Sequence, residues 1–163
     1  MTASTTRPRM YSVRSSPIHG RGVFATRTIR KGTSIIEYRG ERISRKEADL
    51  RPDSDPHDAT HTFLFALSDG SVIDAGVGGN AARWINHSCA PNCETVEYDD
   101  GTVFIEARCT IHAGEELTYD YRLSIPGRIS ERTRKAYACR CASPRCRGTL
   151  LIETKPARRR RKT

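Results

Sequence analysis

Three cysteines fall within eight residues near the C-terminus, in the run Cys139-Arg140-Cys141-Ala142-Ser143-Pro144-Arg145-Cys146. Thiolates this close, separated by Pro and Ser, suit a loop wrapped around one Zn²⁺. Structural zinc takes four ligands in a tetrahedron. The fourth must arrive from elsewhere in the chain, from Cys89, Cys93, Cys109 or a histidine. This requirement constrains the fold strongly, because a basic, polar segment that cannot order itself by burial must turn back onto the body. Met1–Met10 contains no apolar run after its basic residues, so no secretory leader is expected and the six cysteines do not read as a disulfide framework. A nucleophilic cysteine would need a base held nearby, and the sequence picks none out.

The rest of the chain is a series of short apolar runs broken by turn residues. Tyr11–Arg14, Gly22–Ile29 and Thr33–Tyr38 read as strands, the last carrying β-branched Ile35 and Ile36. Ser44 followed by Glu47 is a capping box, which predicts a short helix over Arg45–Leu50. Residues 51–58, RPDSDPHD, read as a polar loop. His61–Leu67 and Ser71–Asp74 flank Ser68-Asp69-Gly70, a hairpin signal, and Glu94–Tyr98 and Thr102–Ala107 flank Asp99-Asp100-Gly101, a second one. Asn80–Ile85 reads as a helical turn, Glu116–Tyr121 as a last extended segment, and 122–138 as an unpatterned basic linker. No internal repeat and no long amphipathic helix is visible. The expected class is mostly β, in several small sheets. With 163 residues there is room for one core.

Composition narrows the class of partner. Hydrophobic residues make up 36% and charged residues 29%, a soluble globular balance, and no run approaches the ~20 apolar residues of a membrane span. Net charge is +9, of which Lys155, Arg158, Arg159, Arg160, Arg161 and Lys162 supply +6. That tail reads as a solvated end, a nuclear-import signal or a weak clamp on nucleic acid. Three motif matches are decoys. Gly20-Arg21-Gly22-Val23-Phe24-Ala25 fits the dinucleotide fingerprint, but a strand-like run follows where a helix N-terminus is needed. Asn86-His87-Ser88 fits a glycosylation sequon without a secretion signal. His57 and His61 straddle a loop-to-strand boundary and read as solvated.

Three segments carry polar residues that are costly to bury without a ligand or a mutual hydrogen bond: HGRGVFA at 19–25, ARWINHSCAPN at 82–92 and GEELTYDY at 114–121. In this order, and followed by the cysteine run, they resemble the SET-domain protein lysine methyltransferases with a post-SET zinc motif. The resemblance covers residues 11–152. It is closest to the branch carrying EYxGE near the start, here Glu37-Tyr38-Arg39-Gly40-Glu41, and ELTYDY near the end. It implies a β-clip fold of small sheets with a C-terminal pseudoknot, an exception to the usual absence of threading. It implies a flexible N-terminus over 1–10, a SET domain over 11–122, a linker and post-SET zinc segment over 123–152, and a basic tail over 153–163.

The resemblance further implies S-adenosylmethionine (SAM) as methyl donor. His19, Arg21, Gly22, Phe63, Asn86, His87 and Arg140 carry over as cofactor-binding positions, with Phe63 standing where the family often has Tyr. Tyr121 carries over as the catalytic tyrosine, Tyr38 as channel lining, and Tyr119 as the position that tunes product state toward mono- or dimethylation. Cys89 carries over as the fourth zinc ligand beside Cys139, Cys141 and Cys146. The implied partner is a protein with an exposed lysine, by default a histone tail, laid along a strand over Phe63–Leu67. The acids of 53–58 and 97–100 are candidate substrate rims, though a solvated turn suits each. The site of action is then the nucleus and chromatin, or the cytoplasm for a bacterial enzyme acting at home, the source that the Arg-rich composition suggests. Two other readings stay open: a non-histone target such as a ribosomal protein, and a catalytically silent SET fold that binds chromatin or nucleic acid.

Overall fold

The computed structural model describes residues 9–52, 62–125 and 127–152. Most of the expected flexible N-terminus, most of the 51–58 loop with its acids, the His57–His61 pair and the basic tail lie outside the described residues. Among the described residues, ten short strands form four small sheets. β1 (Tyr11–Ser15) and β2 (Arg21–Ala25) are an antiparallel hairpin with Val13 opposite Val23. β3 (Ser34–Glu37) pairs with β9 (Val103–Ala107), which pairs in turn with β8 (Cys93–Glu97). β4 (Glu41–Ile43) and β5 (Leu64–Ala66) flank β6 (Val72–Asp74). β7 (Asn86–His87) lies parallel to β10 (Thr118–Tyr119). That last pairing sets the NHS and TYDY motifs side by side.

One core joins these sheets. β9 shows the logic: Val103, Ile105 and Ala107 are buried while Phe104 and Glu106 between them are half-buried, the period of two expected of a strand. They pack with Val23, Ile29, Ile36, Ile85, Ile111 and Leu117. Each fully buried aliphatic side chain contributes roughly 1.5–3 kcal/mol. At Gly40 a Cβ would stand 2.3 Å from the Asp74 carbonyl, so only glycine lets the chain cross β6 between β3 and β4.

The capping box is present as expected: Ser44 Oγ accepts from Glu47 N, the Glu47 carboxylate accepts from Ser44 N, and α1 spans Arg45–Leu50. Both hairpins and the turn at Ala81–Trp84, a single 3-10 turn, also match. Four expectations need correction. The Gly22–Ile29 run ends as a strand at Ala25, and Ile29 instead makes an isolated bridge to Ile111. Only Thr118–Tyr119 of 116–121 is strand. β4 was not anticipated, because three residues are too few to show a period. The 122–138 linker contains a helix, α2 (Glu131–Ala136), with Ser130 as its N-cap and a Glu131–Lys135 pair at i,i+4. α2 buries no residue, so no apolar periodicity could announce it.

Candidate functional site

The cysteine run does fold back. Cys89, Cys139, Cys141 and Cys146 bring their sulfurs within 4.8 Å of one another. Cys89 and Cys139 are 3.7 Å apart, the sulfur–sulfur edge of a tetrahedron with Zn–S bonds of about 2.3 Å. Backbone N–H groups of Arg147 and Gly148 donate to Cys89 Sγ and Cys146 Sγ, both at 3.3 Å. Such donors stabilise thiolate charge. The four residues therefore fit a structural zinc. The alternatives sit elsewhere: Cys93 is fully buried with its thiol pushed up to about 12 by burial, and Cys109 is exposed near the Asn92 carbonyl.

The same fold-back makes one wall of a cleft of about 120 Å³. Ile18, His19, Asn86, His87 and Tyr121 line the body side, and Lys135, Ala138, Cys139, Arg140 and Leu150 the C-terminal side. Of the expected cofactor positions, His19, Asn86, His87 and Arg140 line this cleft. Arg21, Gly22 and Phe63 are not among its lining residues. The Arg21 guanidinium lies 5.1 Å over the Trp84 ring, and Phe63 meets that ring edge-on at 5.2 Å. Gly22 is held against Glu116, whose Oε1 would be 2.3 Å from any Cβ.

Asn86 is fixed by a dense set of acceptors. Its Nδ2 donates toward Arg21 O (2.9 Å), His19 O (3.2 Å), Glu116 Oε1 (2.8 Å) and Ser16 Oγ (3.1 Å). Ser16 Oγ donates to both Glu116 oxygens at 2.8 and 3.0 Å. The amide nitrogen is thus turned onto the 16–22 loop, and Oδ1 is the atom these bonds leave for a ligand. A basic side, from Lys135 and Arg140, and an acceptor side, from Asn86 Oδ1, suit a ligand carrying both carboxylate and ammonium groups, as SAM does. Glu116 and Ser16 were not singled out from sequence. The available signal was a carboxylate sitting one residue before buried Leu117.

His87 couples the cleft to the thiols. Nδ1 accepts from Tyr121 N–H at 3.1 Å, which assigns the proton to Nε2, 3.3 Å from Cys89 Sγ. Burial pushes its pKa down to about 4, so the ring is neutral. Arg147 binds Asp120 through two nitrogens at 2.7 and 3.0 Å. Partial burial raises the Asp120 carboxyl, but the Arg147 bond outweighs it and holds the pKa below the usual carboxylate range. The residue between Tyr119 and Tyr121 is thereby tied to the cysteine loop.

A second cavity, a groove of about 420 Å³, also borders Tyr121. Tyr38, Tyr119 and Tyr121 line it together with Leu64, Phe65 and Ala66 of β5. Among the described residues β5 pairs with β6 alone and stands at the edge of its sheet. The two cavities share Thr62, Tyr121 and Leu123. Tyr121 Oη donates to Ile85 O at 2.7 Å, and Tyr38 Oη to Phe63 O at 2.9 Å. The Tyr119 and Tyr121 rings are 4.9 Å apart. Burial pushes all three phenols above their usual range, so they remain neutral hydroxyls. Three hydroxyl-bearing rings thus wall the groove, and Tyr121 borders both cavities.

A family model described as "SET domain" matches residues 20–122. The chain is 40% identical over 144 residues to "Histone-lysine N-methyltransferase trr" of Drosophila melanogaster, covering 86% of this chain and 6% of that protein. It is 41% identical over 138 residues to "Histone-lysine N-methyltransferase 2B" of Homo sapiens, covering 83% and 5%. It is 37% identical over 149 residues to "Histone-lysine N-methyltransferase, H3 lysine-4 specific" of Mycosarcoma maydis, covering 89% and 10%. The chain thus spans a tenth or less of the length of these curated relatives.

Proposed function

This chain belongs to the SET-domain family, and from that premise we propose that it methylates the side-chain amine of a protein lysine, with SAM as donor and a histone-tail lysine as target. The observation that carries the reading is the position of Tyr121, which lines both cavities and is the residue where a ligand in each would meet. SAM supplies an activated methyl group on a sulfonium. His19, Asn86, His87 and Arg140 are the residues that hold it.

A lysine amine is protonated at neutral pH, with a pKa of about 10.4. Tyr38, Tyr119 and Tyr121 wall the groove with rings and exclude water, which disfavours the ammonium form. Their fixed hydroxyls orient the neutral nitrogen toward the methyl carbon, and alignment supplies most of the rate. Tyr119, whose hydroxyl occupies space beside the amine, restricts the product to monomethyl-lysine, with dimethyl-lysine as the upper limit. β5, at the edge of its sheet among the described residues, is where an extended peptide would add. The histone reading draws on the names of the relatives and sets the site of action at chromatin. Cys89, Cys139, Cys141 and Cys146 hold zinc and keep the wall of the cofactor cleft in place.

The test is transfer of labelled methyl from SAM to mixed core histones, with a cell lysate in parallel and Tyr121→Phe as control. Label on histone that the variant loses by at least about 100-fold, the scale of a lost positioning or acid–base group, supports the reading. Label confined to the lysate removes the histone target. No label from zinc-loaded protein removes the enzyme.

A further inference from the structure

Tyr121 is followed by a residue in an uncommon backbone state. Arg122 has a φ of 50°, in the left-handed region that a residue with a Cβ rarely adopts. Its neighbours impose that turn. Arg122 N–H donates to Asp120 Oδ1 at 3.1 Å, and two Arg147 nitrogens grip the same carboxylate. Backbone strain held in this way gathers at sites of binding and chemistry. Arg122 is exposed, and it lines the tyrosine groove beside Tyr121.

Charge pairing singles Arg122 out. The charged residues that line the groove are Arg45, Asp49, Asp120 and Arg122. Asp49 pairs with Arg45 at 3.3 Å, and Asp120 pairs with Arg147 at 2.7 Å. Arg122 makes no ion pair among the described residues. The described groove therefore keeps one uncompensated positive charge, next to the residue that borders both cavities. From this we propose that Arg122 is a specificity-determining residue, which selects a protein lysine that has an Asp or Glu side chain within two residues of it. The inference rests on the methyltransferase reading above and narrows it from lysines in general to lysines beside a carboxylate.

The guanidinium fork can meet a carboxylate with two parallel N–H donors. Distance confines the effect to close neighbours of the lysine. Adjacent Cα atoms such as those of Tyr121 and Arg122 are about 3.8 Å apart, and two residues of extended peptide cover about 7 Å. A basic side chain at the same place would bring like charges together, so the discrimination acts in both directions. An exposed pair is weak. Attraction and repulsion each give about threefold, and together they separate an acidic from a basic flank by about tenfold.

The experiment incubates the purified full chain with labelled SAM and a set of alanine-based peptides that hold one lysine. Glu, Ala or Arg stands at each of the two positions on either side, and mixed core histones are labelled in a parallel tube. At one flanking position or more, kcat/KM should be about tenfold higher with Glu than with Arg, and high salt should shrink the difference. Arg122→Glu should reverse the order. Arg122→Gly should level the set while its melting temperature holds or rises, because a φ of 50° suits glycine. A residue with only a structural role would not give that split. The inference is overturned by equal rates across the set, by a preference for Arg flanks, by a preference that survives Arg122→Gly, or by labelled histones with no labelled peptide. Peptides and histones all unlabelled would remove the methyltransferase reading, and this inference with it.

Discussion

Glu116 is the residue whose removal best separates the cofactor loop from the rest of the molecule. Its carboxylate accepts from Ser16 Oγ and from Asn86 Nδ2, and Gly22 is glycine because a Cβ there would strike Oε1. Hydrogen bonds to a charged group contribute about 1.5–3 kcal/mol each. The two donors share one half-buried carboxylate and keep other partners, so the two bonds together are worth about 2 kcal/mol. For a domain of this size that is a fall of roughly 4–8 °C in melting temperature. The same bonds turn the Asn86 amide and shape the 16–22 loop, so Glu116→Ala should weaken SAM binding by about tenfold, or 1.4 kcal/mol. Turnover at saturating SAM should hold. Binding can be followed by the fluorescence of Trp84, the single tryptophan, whose ring lies under the Arg21 guanidinium. Glu116→Gln keeps an acceptor and should recover most of the affinity, whereas Gly22→Ala displaces the carboxylate and should copy Glu116→Ala. A lower melting temperature with unchanged SAM affinity would refute the argument and leave Glu116 a packing residue.

Metal analysis should find one zinc per chain, and Cys146→Ser or a strong chelator should abolish SAM binding as well as zinc, because Cys139, Arg140 and Leu150 form a wall of the same cleft; SAM binding that survives zinc loss would show the wall stands without it. Tyr119→Phe should let product run beyond the mono- and dimethyl states, read by mass spectra of a lysine peptide; an unchanged product distribution would remove the crowding role of that hydroxyl. The buried phenols of Tyr38, Tyr119 and Tyr121 have pKa values above the unfolded value of about 10. Their contribution is fully present below pH 10 and is lost as pH rises beyond it, because the unfolded chain then ionises and the folded one does not. Each phenol should cost up to about 1.4 kcal/mol per pH unit above 10, seen as a falling urea midpoint; a midpoint unchanged between pH 9 and 11 would show that the phenols ionise freely in the fold.

How much of this was legible in the sequence follows from the range over which each signal acts. The capping box at Ser44 and the hairpin turns at 68–70 and 99–101 are local, and the structure repeats them. The cysteine spacing required a distant partner but could not name it. Cys89, Cys93 and Cys109 were equivalent on residue chemistry alone, and the parallel pairing of β7 with β10 together with the fold-back of 139–151 separates them. α2 was missed because it is stabilised by its cap and a surface ion pair rather than by an apolar face. Arg21, Gly22 and Phe63 show the same limit: a motif fixes residue type and order, but their contacts to Trp84 and Glu116 are set by the fold.

The link between the cysteine cluster and the tyrosines shows what the fold adds to those motifs. Arg147 sends its backbone N–H to Cys89 Sγ and its guanidinium to Asp120, and Asp120 sits between the two tyrosines of the groove. His87 reaches the same sulfur through Nε2 and the Tyr121 backbone through Nδ1. Two paths of two bonds each therefore connect Cys89, a proposed zinc ligand, to the TYDY segment, and both carry charge-assisted or buried hydrogen bonds, the kinds that cost most to leave unmade. A cysteine cluster that only stapled the C-terminus would need neither path. Arg147→Lys, which keeps the charge and loses the two-nitrogen grip, should therefore lower methyl transfer while zinc content stays at one per chain, whereas equal loss of both would reduce the cluster to a staple.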